Sequence, residues 1–172
     1  MTERIERGWH FLRSDGALGY GDGRIPADGE WVRAKPDEHH EVPVLCEHGM
    51  HASRRLIDAL DYAPGPMLCR VEVRGNIVLG DDKLAGMERR ILWRIDGENV
   101  LRDFARRCAL DVVHLWDAPD VVVRYLKTGD PDLRAAAWAA AWAAARAAAR
   151  AVQSRRLTSM VIAEAKRQGV YR

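Results

Sequence analysis

The run Cys46-Glu47-His48-Gly49-Met50-His51-Ala52 sets a thiol, a carboxylate and two imidazoles around one glycine. Cys46, His48 and His51 are all competent metal ligands, with Cys69 or the pair His39-His40 as a further donor. Their spacings of two and three, with no second well-spaced ligand pair elsewhere, do not make a standard zinc motif, and no metal is expected. A thiol near an imidazole also suggests a nucleophile pair, because a neighbouring imidazole can lower a thiol's pKa. Adjacent strand residues point opposite ways, however, and no asparagine or aspartate is placed to orient such a pair. A purely structural reading stands beside these: Gly49 permits a tight strand-to-helix turn, with His51 hydrogen-bonded beneath Ser53.

The elements around this run follow from periodicity. Residues 8–13 read as a strand with His10 on the face opposite Trp9 and Phe11, ended by Ser14-Asp15-Gly16. Gly19-Tyr20-Gly21-Asp22-Gly23 invites a phosphate-loop reading, which fails because no Gly-Lys-Ser/Thr follows and no helix opens after it. Residues 30–33 and 41–45 are short strand candidates, the second placed at an edge or bulge by Pro43. Ser53 is positioned as N-cap of a helix over 54–62, which Pro64-Gly65-Pro66 stops. Residues 67–73 alternate well and are expected to pair through Arg74-Gly75-Asn76 with a strand at 77–79. Residues 81–86 are too short to assign, and 88–95 read as a strand with Ile91, Trp93 and Ile95 on one face. From 98 to 117 the apolar residues Leu101, Phe104, Cys108, Val112 and Leu115 recur at three and four, predicting a helix packed on the sheet. A shorter helix starts at Pro119 and ends at Gly129.

The last stretch has its own chemistry. Asp130 as N-cap and Pro131 at the first helical position open an alanine-rich helix, with Gly169 as a stop. Trp138, Trp142, Arg146 and Arg150 repeat every four residues, so each is stacked on the next, and Trp142 with Arg146 is placed for a cation–π pair. Residues 131–172 hold eight Lys or Arg against Asp132 and Glu164, so the first 130 residues carry a net −4 in a chain of net +2. Smooth alanine faces and a basic surface suit packing on the body, self-association, or contact with an acidic partner.

The expected fold class is therefore α+β: a small, mostly antiparallel sheet body with packed helices over 1–129, then a long Ala-rich basic helical arm over 130–172. One compact domain with an appendage fits a chain of 172 residues. The charged start lacks the apolar core of a signal peptide, no run is apolar enough to span a membrane, and three cysteines in unpaired spacing point to reduced thiols. A cytoplasmic protein with no membrane partner is expected.

Two resemblances extend this reading. His10 on the first strand, Gly49-Met50-His51-Ala52-Ser53 before a helix, the strand 67–73, and Glu88 leading Ile91-Leu92-Trp93 resemble the order of elements in ADP-ribosyltransferase-like domains. That resemblance implies a transferase in which His10 and His51 hold nicotinamide dinucleotide (NAD) and Glu88 stabilises the positive charge developing at the ribose. The second resemblance rests on Leu45 to Ala52, Tyr62, Arg70-Val71-Glu72-Val73, Trp116-Asp117 and the tail of Ala-Ala-Ala-Trp and Ala-Ala-Ala-Arg units, and is to an uncharacterised family of phages and prophages. It implies an infection setting, where small accessory proteins bind and block host proteins, including defence nucleases.

Two functions are expected from different classes. One is a phage-type accessory protein without cofactor, binding and inhibiting a host protein or nucleoprotein complex through Trp138, Trp142, Arg146, Arg150, Arg155 and Arg156. The alternative is an ADP-ribosyltransferase-like enzyme using His10, His51 and Glu88 with NAD. Direct nucleic-acid binding by the arm is a third reading; it is disfavoured because Trp138 and Trp142 precede the basic region rather than interleave with it.

Overall fold

Cross-strand alternation builds the body. In the strand Met67–Arg74 (β4), Cys69, Val71 and Val73 are wholly buried, while Arg70 and Arg74 on the other face keep access to solvent. The computed structural model describes residues 4–167, with side chains in the last helix described through Ala148 and at Arg156, Thr158 and Met160. β4 pairs with Ile5–Leu12 (β1) on one side and Glu88–Asp96 (β7) on the other, and Trp31–Arg33 (β2) pairs with β7, giving an antiparallel sheet of order β1-β4-β7-β2. A second sheet has the order Met50–Ala52 (β3), Leu84–Gly86 (β6), Val78–Leu79 (β5). The sheets are tied where Trp9 and Ser53 exchange backbone hydrogen bonds of 2.7 and 3.0 Å. Their apolar faces meet in a core of Leu12, Met50, Val71, Val73, Leu84 and Ile91, each full burial of such a side chain contributing about 1.5–3 kcal/mol. The mixed helix and antiparallel sheet are those of an α+β protein.

Several local expectations are corrected. Residues 41–45 form no strand: Pro43 lacks a donor, Cys46 has φ +68°, and the chain folds back so that Val44 N–H donates to the His48 carbonyl at 2.8 Å. Ser53 caps nothing, its backbone being engaged by Trp9; the helix is only Leu56–Leu60 (α1), with Arg55 at its N-cap and no side-chain cap. The strand after Gly75 pairs with β6 instead of β4, since Gly75 and Asn76 both take positive φ and the Gly75 carbonyl accepts from Met87. A bulge in β7 opposite Arg70 and Val71 skips Leu92, so Ile91 is buried while Trp93 and Ile95 pass to the other face.

The helix after β7 spans Glu98–Val112 (α2) and continues as a short 3-10 turn over Val113–Leu115. None of its residues is buried, and within the first unit Leu101 packs against the Phe11, Ala59 and Leu68 cluster. Two compact units divide between Leu101 and Arg102, upstream of the boundary expected at 129/130. In the second unit, Asp120–Thr128 (α3) ends on Gly129 at φ +69°, and Pro131–Arg167 (α4) opens with the Asp130 carboxylate accepting from Asp132 N–H at 2.9 Å. Val122 of α3 and Ala137 of α4 are the buried residues of that unit among those described. No helix among the described residues is long and apolar enough to cross a membrane.

Candidate functional site

A cavity of about 450 Å3 in the first unit gathers residues from both sheets: His10 of β1, His51 of β3, Arg89 of β7, and Tyr62, Lys83 and Cys46 from the connecting turns. Strand alternation decides which side chains enter it. His10 turns inward because Trp9 turns outward onto Trp93, their rings 5.8 Å apart. Arg89 turns inward because it stands two residues before the buried Ile91. Its neighbour Glu88 therefore leaves by the opposite face, where Arg74 Nε donates to it at 2.6 Å and Arg33 approaches to 3.8 Å. Of the three residues expected to act together, the structure brings His10 and His51 into one cavity and keeps Glu88 out of it.

The two histidines differ in what they offer. His51 uses both ring nitrogens on its own turn: Nε2 accepts from the Cys46 N–H at 3.0 Å, and Nδ1 donates to the Gly49 carbonyl at 3.1 Å. Burial depresses its pKa, and the ring staples the turn as a neutral group. That turn needs Gly49, which has φ +112° and would push a Cβ to 3.1 Å from both the Gly86 carbonyl and Pro43. His10 is the reverse case. Its Nε2 is buried with no hydrogen-bond partner. Its pKa lies well below the usual imidazole value, through burial first and then the charge of Arg89 and the proximity of His51.

Arg89 is 5% exposed. It donates to the His51 carbonyl, and no carboxylate among the described residues forms an ion pair with it. Asp22, whose charge it feels, is bound at 2.7 Å by Arg24, whose hydrogen bond, with a smaller contribution from nearby Lys35, lowers its pKa to about 2. Burial draws the Arg89 pKa down to about 10, leaving it charged at neutral pH. An uncompensated buried cation beside an unpartnered imidazole is costly to the apo fold and complementary to an anion.

The cavity mouth is built around Tyr62. Lys83 Nζ sits 4.0 Å from its ring and donates to Cys46 Sγ at 3.2 Å; the Tyr62 hydroxyl donates to Asp82 and its carbonyl accepts from the Tyr20 hydroxyl at 2.7 Å. Tyr62 first, and then Cys46, raise the Lys83 pKa. The thiol of Cys46 thus faces an ammonium and its amide faces His51, so the two form no nucleophile–base pair. His48 lies in a separate cavity of about 540 Å3 with Arg33, Lys35 and His40, its ring stacked 6.1 Å from that of His40 and its Nε2 unpartnered. His48 thus lies apart from Cys46 and His51, which line the first cavity together.

Arg89 was not among the residues singled out from sequence. The signal was present: an arginine two positions before Ile91, where the alternation of β7 demands an inward side chain. On the arm, Trp138 and Trp142 are 69% and 53% exposed with rings 6.4 Å apart, and Arg146 stacks 5.8 Å from the Trp142 centroid. Arg156 is exposed, while the Arg150 and Arg155 side chains lie outside the described residues.

Fold and site define an α+β protein with two antiparallel sheets around a cationic cavity. Residues 28–103 match the family model of a domain of unknown function, DUF7666. The matched stretch holds His51, Lys83, Glu88 and Arg89, and His10 precedes it. No curated protein and no solved structure matches the chain.

Proposed function

We propose that the first unit binds a phosphate-bearing nucleotide in the His10–Arg89 cavity, with NAD as the ligand that the ADP-ribosyltransferase-like order of elements suggests. The observation that carries this reading is the buried charge of Arg89, which forms no ion pair with a carboxylate among the described residues, set beside the unpartnered Nε2 of His10. A phosphate oxygen would satisfy both, and Lys83 at the mouth adds a second cation. The reading concerns binding rather than transfer. Glu88 is committed to Arg74, and the carboxylates that line the cavity are Asp22, held by Arg24, and Glu47, paired with His40 at 3.2 Å. Calorimetric titration with NAD, ADP-ribose and ATP is expected to give one-site binding by at least one of them. Absence of heat with all three at millimolar concentration refutes the proposal.

A second reading assigns a partner to the arm, and the exposed Trp138–Trp142 pair capped by Arg146 favours it, since two adjacent solvent-facing tryptophans are rare on a surface without a partner. In this reading the chain is a phage-type accessory protein of the host cytoplasm, and α4 is one long alanine-rich rod that pairs with its copy or lies on a host protein or nucleoprotein complex. Co-purification from bacterial lysate with the wild type, lost on Trp138→Ala with Trp142→Ala, is the expected result. Equal recovery of the same partner by both forms removes it.

A further inference from the structure

The outer face of the four-stranded sheet, opposite the cavity, is tiled with arginine and tryptophan. Three cross-strand rows lie on it: Trp9, Arg70 and Trp93; Arg7, Glu72, Arg90 and Trp31; and Arg74, Glu88 and Arg33. Five arginines thus stand against two glutamates. The bulge at Leu92 is what delivers Trp93 to this face, 44% exposed and edge-on to Trp9. Arg70 lies 4.6 Å from the Trp9 ring, and Trp31 is flanked by Arg74 at 4.1 Å and Arg90 at 4.7 Å. Glu72, almost buried, pins Arg90 at 2.7 Å and Arg7 at 3.1 Å, so the guanidiniums are held in place rather than free in solvent.

We infer that this sheet face binds single-stranded nucleic acid, with Trp93 and the guanidinium planes stacking on bases and Arg7 and Arg33 meeting phosphates. Charge complementarity favours a polyanion, and the alternation of flat π surfaces with cations at strand spacing matches alternating bases and phosphates. An acidic peptide supplies the charge but not the stacking partners. Arg7 and Arg33 are 68% and 71% exposed at the side chain, so they reach a ligand outside the ladder. Trp9 borders both this face and the cavity, whereas Arg89 stands on the cavity side of the sheet.

The test is fluorescence anisotropy of labelled eight-nucleotide uridine and deoxythymidine strands on the full chain, with unlabelled poly-glutamate as competitor. Wild type is expected to bind at low salt and to show tryptophan quenching. Arg7→Gln with Arg33→Gln should weaken binding on the order of tenfold and flatten the log–log salt slope by about 1.4, about 0.7 for each phosphate no longer neutralised. Trp93→Leu should weaken binding about tenfold and remove most of the quenching. The inference is overturned by no binding of either strand, by full binding in both face variants, by loss only in Arg146→Gln with Arg156→Gln on the arm, or by poly-glutamate binding as tightly as the oligonucleotides. Should the double variant not fold, quenching of the wild type and its loss in Trp93→Leu decide the matter alone.

Discussion

Glu88 and Arg89 are consecutive in β7 and serve opposite faces of one sheet: the carboxylate closes an arginine ladder outside, the guanidinium is buried in the cavity within. A transferase reading built on Glu88 therefore meets a strand whose pleat gives the cavity a cation instead of an acid. Replacing Glu88 with Gln is expected to leave nucleotide affinity unchanged within twofold and to lower stability by about 1 kcal/mol, the upper end for an ion pair that keeps some access to solvent. Urea denaturation with a parallel ligand titration checks both; a tenfold loss of affinity would return Glu88 to the site.

Acid should destabilise the protein through His10. Its folded pKa lies well below the usual value because of burial, so below about 6.5 the unfolded chain takes up a proton that the folded one does not. Stability is complete above the unfolded pKa and falls as pH drops below it, by at most about 1.4 kcal/mol per pH unit for this one group. His51 is shifted the same way, again by burial first. Melting curves from pH 7.5 to 5 should show the decline, and His10→Gln should make it shallower. An identical slope in the variant would place the titration elsewhere.

The three thiols should differ in reactivity. Cys46 and Cys108 are exposed, whereas Cys69 is fully buried and burial pushes its pKa up to about 11. Maleimide labelling of native protein, read by mass spectrometry, is expected to add two labels quickly and the third only on unfolding. Prior occupation of the cavity by nucleotide should slow Cys46 alone.

Much of the fold was legible because periodicity reports burial. The alternation of 67–73, the placing of His10 opposite Trp9 and Phe11, the Asp130 cap and the Gly129 stop all depend on neighbours within a turn or a pleat. What was not legible depended on distant backbone. Ser53 looked like a cap until Trp9 claimed its amide and carbonyl, and 41–45 looked like a strand because apolar residues flank Pro43. The bulge at Leu92 reversed the faces of Trp93 and Ile95, a register event set by pairing with β4 rather than by local pattern. At the site, His10 and His51 came from the resemblance to ADP-ribosyltransferase-like domains, but His51 is consumed by its own turn and the buried Arg89 passed as one more charged residue in Glu88-Arg89-Arg90.

The turn that His51 staples gives a structural prediction. Gly49→Ala must adopt φ +112° and approach the Gly86 carbonyl, which is expected to cost about 1–3 kcal/mol. The same change should loosen His51 and lower nucleotide affinity, seen as a reduced melting temperature together with a smaller ligand-induced shift. Unchanged melting would show that the turn relaxes freely.

Arg89→Met, followed by thermal unfolding with and without nucleotide, bears most directly on the cavity. Removing an uncompensated buried charge while keeping an unbranched side chain should leave the apo melting temperature unchanged or raised. In wild type, ligand at a hundredfold over its Kd should stabilise by about 2.7 kcal/mol, a shift of several degrees. The account predicts that this shift disappears in Arg89→Met while the apo protein stays folded; a variant that melts normally and keeps the full ligand shift would contradict it.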